Sequence, residues 1–328
     1  MFRRLNYKCH FCAVCDGSGC TGELPGMGGV YGNENFRRNC EDWKILARTF
    51  AAGSPPSAET SREAAESLQL AALPYGAEKS PLQTAAPQRM PLIRLAPITG
   101  GVENVGYQDE RSFYFDLITA VSEAGIALSI GDGCPDEKIL GGIAALRAVR
   151  RFYPERRAAV FIKPYENKRI FERIEWAGSC AELIGVDIDS YNIVTMRNLV
   201  RLEKKNAAQL REIRRALRVP FAVKGIFTEA DVELVRELKP DVAVVSNHGG
   251  RIETRRGSTA AFLAEYGRAL QANCGELWVD GGIRDKGDIE TAARFGAAQV
   301  LVGRPFISAL CRGGVREVIR EARALRGL

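Results

Sequence analysis

From Pro91 onward, short apolar runs alternate with segments whose apolar residues recur every three or four positions. The runs at 92–96, 126–130, 158–162, 182–187, 220–224, 241–246, 276–280 and 299–303 each hold five or six residues, the length of a strand buried on both faces. The intervening stretches read as amphipathic helices. Glu229 to Arg236 is one, and Asp288 to Arg294 is another, with Gly296 as its stop. Eight strand–helix pairs over about 240 residues predict a (β/α)8 TIM barrel spanning 91–328. An open doubly wound sheet would need a glycine-rich turn after its first strand. Pro97-Ile98-Thr99-Gly100-Gly101 does not fit that G-x-G-x-x-G pattern.

The chain before Pro91 has a different texture. Residues 1–48 form a Cys- and Gly-rich segment with few long apolar runs. Residues 49–90 are dominated by Ala, Ser, Pro, Glu and Gln and read as a linker with room for one helix near 58–72. Of the 9 cysteines, five lie within the first forty residues, and Cys9, Cys12, Cys15 and Cys20 have the spacing of metal ligands. Four thiolates could hold zinc or an iron–sulfur cluster. The last gap is longer than in a ferredoxin run, and no proline follows Cys20. Stretch 12–19 resembles a single zinc-binding repeat, and free thiols are the plain alternative.

Composition narrows the classes further. With 46% hydrophobic and 26% charged residues in 328, the chain is that of an ordinary globular protein. Its net charge of +6 suits anionic ligands without pointing to nucleic acid. No apolar run has the length of a membrane span, and the basic start lacks the apolar core of a secretion signal. The cytoplasm is therefore the expected location.

In a barrel of this kind the chemistry sits just past the C-terminal ends of the strands. Reading those positions gives Thr99, Asp132, Lys163, Asp187, Lys224, Ser246-Asn247-His248, Asp280 and Arg304. The last two strands lead into Asp280-Gly281-Gly282-Ile283-Arg284 and Gly303-Arg304-Pro305. Glycines let backbone N–H groups approach phosphate oxygens and arginines supply the matching charge, although tight turns would use the same glycines. His248 is one of only 2 histidines and stands three residues before Arg251. A base beside a carboxylate-binding fork is what oxidising a hydroxy acid requires; a structural histidine is the alternative.

The run Ser246-Asn247-His248-Gly249-Gly250-Arg251 resembles the signature of the FMN-dependent 2-hydroxy acid oxidase and dehydrogenase family, which includes glycolate oxidase and lactate oxidase. Ala96-Pro97-Ile98-Thr99, Val223-Lys224-Gly225, Asp280 to Arg284 and Val302 to Pro305 match that family's other motifs in order. The resemblance covers roughly 91–310. It implies FMN as cofactor, a small 2-hydroxy acid as substrate, oxygen or a redox partner as electron acceptor, and a homo-oligomer. By the same resemblance Pro97, Ile98 and Thr99 face the flavin through their backbone. Lys224 lies near its N1/O2 edge, and Ser246 contacts it. Asp280 holds the ribityl chain, while Gly281, Gly282, Arg284, Gly303 and Arg304 hold the phosphate. Arg251 clamps the substrate carboxylate, His248 is the base, and Asp187 steadies the protonated imidazole by raising its pKa.

Several positions depart from the family pattern. Its strand-three Gln, which bonds the flavin, and its substrate-binding Tyr two residues later fall on Ile162 and Pro164, with Lys163 and Tyr165 beside them. The second substrate arginine has no aligned partner, Arg197 being the nearest candidate. Residues 252–256 replace the usual Gln-Leu-Asp segment. Two other readings remain open: a non-oxidative FMN barrel resembling isopentenyl diphosphate isomerase, with Arg255 and Arg256 for a diphosphate, or an inactive FMN-binding module whose Cys-rich leader is the working part.

Overall fold

The computed structural model describes residues 34–51, 89–102, 107–192, 200–252 and 254–328. The cluster Cys9, Cys12, Cys15 and Cys20, the helix expected near 58–72, and Arg197 lie outside the described residues.

Eight parallel strands form one sheet in the order β1-β8-β7-β6-β5-β4-β3-β2, and a bridge from Arg94 to Ala127 joins the two ends. The strands are β1 (Leu92–Leu95), β2 (Leu128–Gly131), β3 (Ala158–Ile162), β4 (Ala181–Asp187), β5 (Phe221–Ile226), β6 (Val242–Val245), β7 (Glu276–Asp280) and β8 (Gln299–Val302). A sheet whose first and last strands meet is a barrel, so the expected TIM fold is the one observed and the open sheet is excluded.

Helix α1 (Glu34–Ala51) precedes the barrel. Then come α2 (Glu110–Glu123), α3 (Glu137–Val149), α4 (Asn167–Ala177), α5 (Ala207–Arg215), α6 (Glu229–Leu238), α7 (Thr259–Gln271), α8 (Lys286–Arg294), α9 (Arg304–Gly313) and α10 (Val315–Arg326). Local sequence sets several of these starts. Asn206 with Gln209, Thr228 with Asp231, and Asp285 with Asp288 each close a capping box, in which side chain and backbone satisfy each other's hydrogen bonds.

Strand alternation separates two cores. Ala159, Phe161, Leu183, Ala222, Val242, Val244, Trp278 and Leu301 point inward and fill the barrel. Their neighbours, such as Val160, Ile162, Val186 and Val223, point outward and join the larger core under the helices. The N-terminal floor is closed by Arg94. Its guanidinium stacks on Trp278, donates to Gln299 Oε1 and the Leu128 carbonyl, and pairs with Glu182. A buried cation with this many partners is a stability device, and it leaves the opposite end for chemistry.

The apolar and amide side chains of α1 lie against the barrel. Phe36, Trp43 and Leu46 are buried, one helical stripe at i, i+7 and i+10. The helix runs through residue 48, where the Cys-rich segment was expected to end, so its last turn enters the expected linker. It lies across the loops that follow β6 and β7. Asn35 Nδ2 donates to the carbonyls of Ile252 and Arg255 at 2.7 and 2.8 Å, and Trp43 Nε1 to that of Gly281 at 2.7 Å. No helix among the described residues is long and apolar enough to cross a membrane.

Candidate active site

Inward alternation carries one residue from each of β3 to β7 to the C-terminal mouth. Lys163 follows β3, Asp187 ends β4, Lys224 lies in β5, Ser246 follows β6, and Asp280 ends β7. Their side chains form a connected network. Lys224 Nζ lies 3.0 Å from Asp187 Oδ1 and donates to Ser246 Oγ at 3.0 Å. Ser246 Oγ donates in turn to Asp280 Oδ2 at 2.9 Å, and Lys224 is 3.4 Å from that same oxygen. All four residues are buried.

His248 hangs over this floor on a strained turn. Its φ is +56°, followed by +66° at Gly249 and +87° at Gly250. Left-handed backbone at a non-glycine residue persists only where the surroundings hold it. Here Asn247 does so, its Oδ1 accepting from the Gly250 N–H at 2.9 Å. The imidazole keeps 20% of its surface exposed, as a group that must meet a ligand requires. Arg251 closes the turn and donates to the His248 carbonyl at 3.3 Å.

The carboxylate nearest the imidazole is one that the sequence reading missed. His248 Nδ1 is 3.2 Å from Asp189 Oδ1 and 3.7 Å from Asp187 Oδ2. Asp187, expected to steady the histidine, is bound first to Lys224. The signal for Asp189 was its even spacing from Asp187 at the end of β4, which keeps both carboxylates on the mouth side.

Charge sets the protonation states. Burial lowers the His248 pKa well below its ordinary value; Asp187 opposes this, and Lys224, Lys163 and Arg251 reinforce it. Asp187 thus acts on the histidine in the expected direction, but burial and the three cations outweigh it in the resting site. Burial alone would raise Asp187, but Lys224, then His248 and Lys163, outweigh it and hold that carboxyl below the usual range. Burial and the neighbouring Asp187 charge raise Asp189 well above it. Burial works against the Lys224 charge, yet Asp187, Asp280 and Asp189 prevail and raise its pKa. Asp187, Asp189 and His248 bring ligand atoms within 4.8 Å of one another, a spacing a metal could use. Lys224 already supplies the cation there, so the trio is better suited to handling a proton.

The β7 and β8 loops carry the expected glycines and arginines. Gly281 and Gly282 have φ of +91° and +79°, and a Cβ on Gly282 would meet the Asn39 carbonyl oxygen of α1 at 1.6 Å. These glycines therefore admit α1 as well as shape the turn. Arg304 stacks over Phe36, and Arg284 Nη2 lies 3.5 Å from Cys40 Sγ. Helix α9 starts at Arg304, so its N-terminus opens beside the mouth, where its N–H groups suit an anion. On the β1 side, a Cβ on Gly131 would lie 2.6 Å from the Pro97 carbonyl oxygen, so Pro97, Ile98 and Thr99 cross closely over the end of β2.

The residues present fit a flavin mononucleotide. Asp280 Oδ1 is buried and accepts no hydrogen bond, which leaves a carboxylate oxygen for a ribityl hydroxyl. Lys224 presents an ammonium in the same floor. A separate pocket of about 550 Å³ lies between the end of β4 and α6; its walls include Asp189, Tyr191, Phe227 and Ile252. It reaches Asp189 but neither His248 nor Arg251, so it adjoins the reaction site without forming it.

Comparison with known proteins agrees with this geometry. Rat (Rattus norvegicus) 2-hydroxyacid oxidase 2 is 37% identical over 105 residues, 31% of this chain and 30% of the relative. The 4-hydroxymandelate oxidase of Amycolatopsis orientalis is 36% identical over 119 residues, 33% of each chain. The matched stretch thus spans about a third of the curated relatives' length. A crystal structure of mandelate oxidase with benzoyl-formic acid superposes with a TM-score of 0.56 at 21% identity, covering 74% of this chain and 75% of that one, which shows the shared barrel. The sequence profile described as FMN-dependent dehydrogenase matches residues 162–327, half of the chain and every mouth residue from Lys163 to Arg304. The chain belongs to the FMN-dependent dehydrogenase family.

Proposed function

We propose that this protein oxidises a small 2-hydroxy acid to the 2-oxo acid, with His248 as base and Arg251 holding the substrate carboxylate. The observation that carries this reading is the His248 turn. It presents an uncharged imidazole at the mouth, backs its Nδ1 with two carboxylates, and sets Arg251 three residues on.

Bound FMN would supply the two-electron acceptor, held by Lys224, Ser246, Asp280 and the loops of Gly281, Gly282, Arg284, Gly303 and Arg304. The tasks of the chain's own groups follow from their partners. In the tautomer that carries its proton on Nδ1, directed at Asp189, the Nε2 lone pair of His248 is free to take the substrate hydroxyl proton. A guanidinium at Arg251 fixes the carboxylate in a bidentate fork and so aims the hydroxyl at that nitrogen. Once protonated, the imidazolium gains a counter-charge from Asp187, which Lys224 keeps ionised. The names of the relatives, all oxidases, support molecular oxygen as final electron acceptor. Arg255 argues against the diphosphate reading, because it is paired with Glu265 at 2.5 Å and stacked over Phe262.

The test is anaerobic mixing of the FMN-loaded protein with a panel of 2-hydroxy acids. Bleaching of the flavin bands by one of them, restored by oxygen, is the expected result. Flavin bands unmoved by every acid would remove the oxidative reading.

A further inference from the structure

Lys163 acts on Asp187 and His248 through its charge but makes no side-chain hydrogen bond in the network described so far. Phe161 points into the barrel and Ile162 toward the helices, so the next residue returns to the inward side. The register of Ile162 with Val186 sets Lys163 level with Asp187 at the mouth. The strand-three position that faces the flavin site is therefore Lys163, not Ile162, where the family's glutamine was expected to fall. Tyr165, two residues on, packs its ring against the guanidinium groups of Arg169 and Arg173 in the helix layer.

The Lys163 side chain is 5% exposed, and its ammonium forms no hydrogen bond or ion pair among the described residues. Its charge acts on Asp132, Asp187 and Asp189, but none of them hydrogen-bonds the ammonium, and the first two are paired with other cations. Asp132 accepts the Lys163 backbone N–H at 3.1 Å but pairs its charge with Arg173 at 3.0 Å. Asp187 pairs with Lys224. A buried ammonium without a hydrogen-bonded partner is costly, and such a conflict with local rules is expected where a ligand provides the missing counterpart.

We infer that Lys163 is a second flavin-binding lysine, which with Lys224 gives the site two ammonium groups to stabilise the ring when it is reduced and anionic. The inference rests on the FMN reading above. It sets this chain apart from the family it resembles, whose neutral Gln at this strand supplies a hydrogen bond without a charge. An extra positive charge close to a ring that gains negative charge makes reduction more favourable.

The test uses the full chain loaded with FMN, with Lys163→Gln, Lys163→Met and Lys163→Arg as variants. Sulfite titration followed by flavin absorbance reads the stabilisation of negative charge on the ring, and dye equilibration reads the midpoint potential. Lys163→Gln and Lys163→Met are expected to weaken sulfite binding about tenfold, and to lower the two-electron potential by the equivalent ~30 mV. Lys163→Arg is expected to stay within about threefold of the parent, since the charge is kept. Should the Met variant lose FMN, the Gln variant, which restores the family's residue type, still gives the reading. Flavin bound, with sulfite affinity and potential unchanged in both neutral variants, overturns the inference and leaves the proposed function standing. So does a loss confined to the KM of hydroxy diacids, which would assign Lys163 to substrate. Failure of the parent chain to bind FMN overturns both.

Discussion

Around the β3–β6 half of the mouth, Lys163, Asp187, Asp189, Lys224 and His248 gather five ionisable groups into one buried patch. The β6–β8 half is held differently, by glycine turns and by α1, which adds neutral hydrogen bonds at the loops to a pairing of Lys44 with Asp285 and Asp288. Asn39 exchanges hydrogen bonds with Asn247 at 2.8 and 3.1 Å, and its Oδ1 also accepts the Thr259 N–H at 3.0 Å. In the charged half each group sets its neighbours' protonation, so a substitution there should change chemistry before stability. In the braced half the same kind of change should cost stability before chemistry. Asn247 joins the two, since it bonds α1 and holds the His248 turn.

The largest effect that would sharpen this contrast is on turnover. His248→Ala is expected to reduce turnover by roughly 10²–10⁴-fold, the usual worth of a positioned base, while FMN stays bound. Normal turnover in that variant would break the assignment of the charged half. Trp43→Ala probes the braced half; urea unfolding is expected to show a loss of about 3–5 kcal/mol, as for other buried aromatic residues. Protein that remains folded and FMN-loaded should turn over normally. A large fall in turnover without loss of stability would erase the distinction between the halves.

The pH profile offers a finer test. His248 is pushed below its ordinary pKa, so kcat/KM should be flat above pH 6.5 and fall only as the pH drops below that value. A midpoint above pH 7 would show that the carboxylates, not burial and the lysines, dominate the imidazole. Asp189→Asn replaces the carboxyl nearest Nδ1 with an amide and is expected to lower turnover about tenfold, less than loss of the base itself.

The smallest expected effect lies under α1. Asp42, which accepts from Ser258 Oγ at 2.5 Å, has its pKa raised by burial to about 6. A carboxyl with a raised folded pKa binds more protons in the native state than in the unfolded one. Its contribution is therefore full at acid pH and is lost as pH rises from about 4 to about 6. Asp42→Asn should flatten that slope by about 1–3 kcal/mol in unfolding measured across the window. An unchanged slope would show that the Asp42 proton is not coupled to folding.

Much of the barrel was legible in the sequence. The expected strands at 158–162 and 276–280 coincide with β3 and β7, because apolar runs bounded by turn residues leave little freedom of register. β2 begins at Leu128, not 126, since Ala127 reaches only a single bridge to Arg94. His248 and Arg251 were readable because they are near in sequence and follow a strand. Helix α1 was not predicted, although Phe36, Trp43 and Leu46 repeat at helical spacing. The amides Asn35 and Asn39 made its inner face look polar.

What the sequence determined by itself was periodic and local: the strand–helix alternation, the capping boxes, and the glycine turns that end β6 and β7. Those follow from backbone geometry within a few residues. Which carboxylate meets His248, which strand-three residue faces inward, and which helix covers the loops after β6 and β7 were decided only by the tertiary structure. Asp189 and His248 are 59 residues apart, and Asn39 and Asn247 are 208 apart. Such contacts depend on barrel closure and side-chain direction, and their protonation on burial that no stretch of sequence possesses alone.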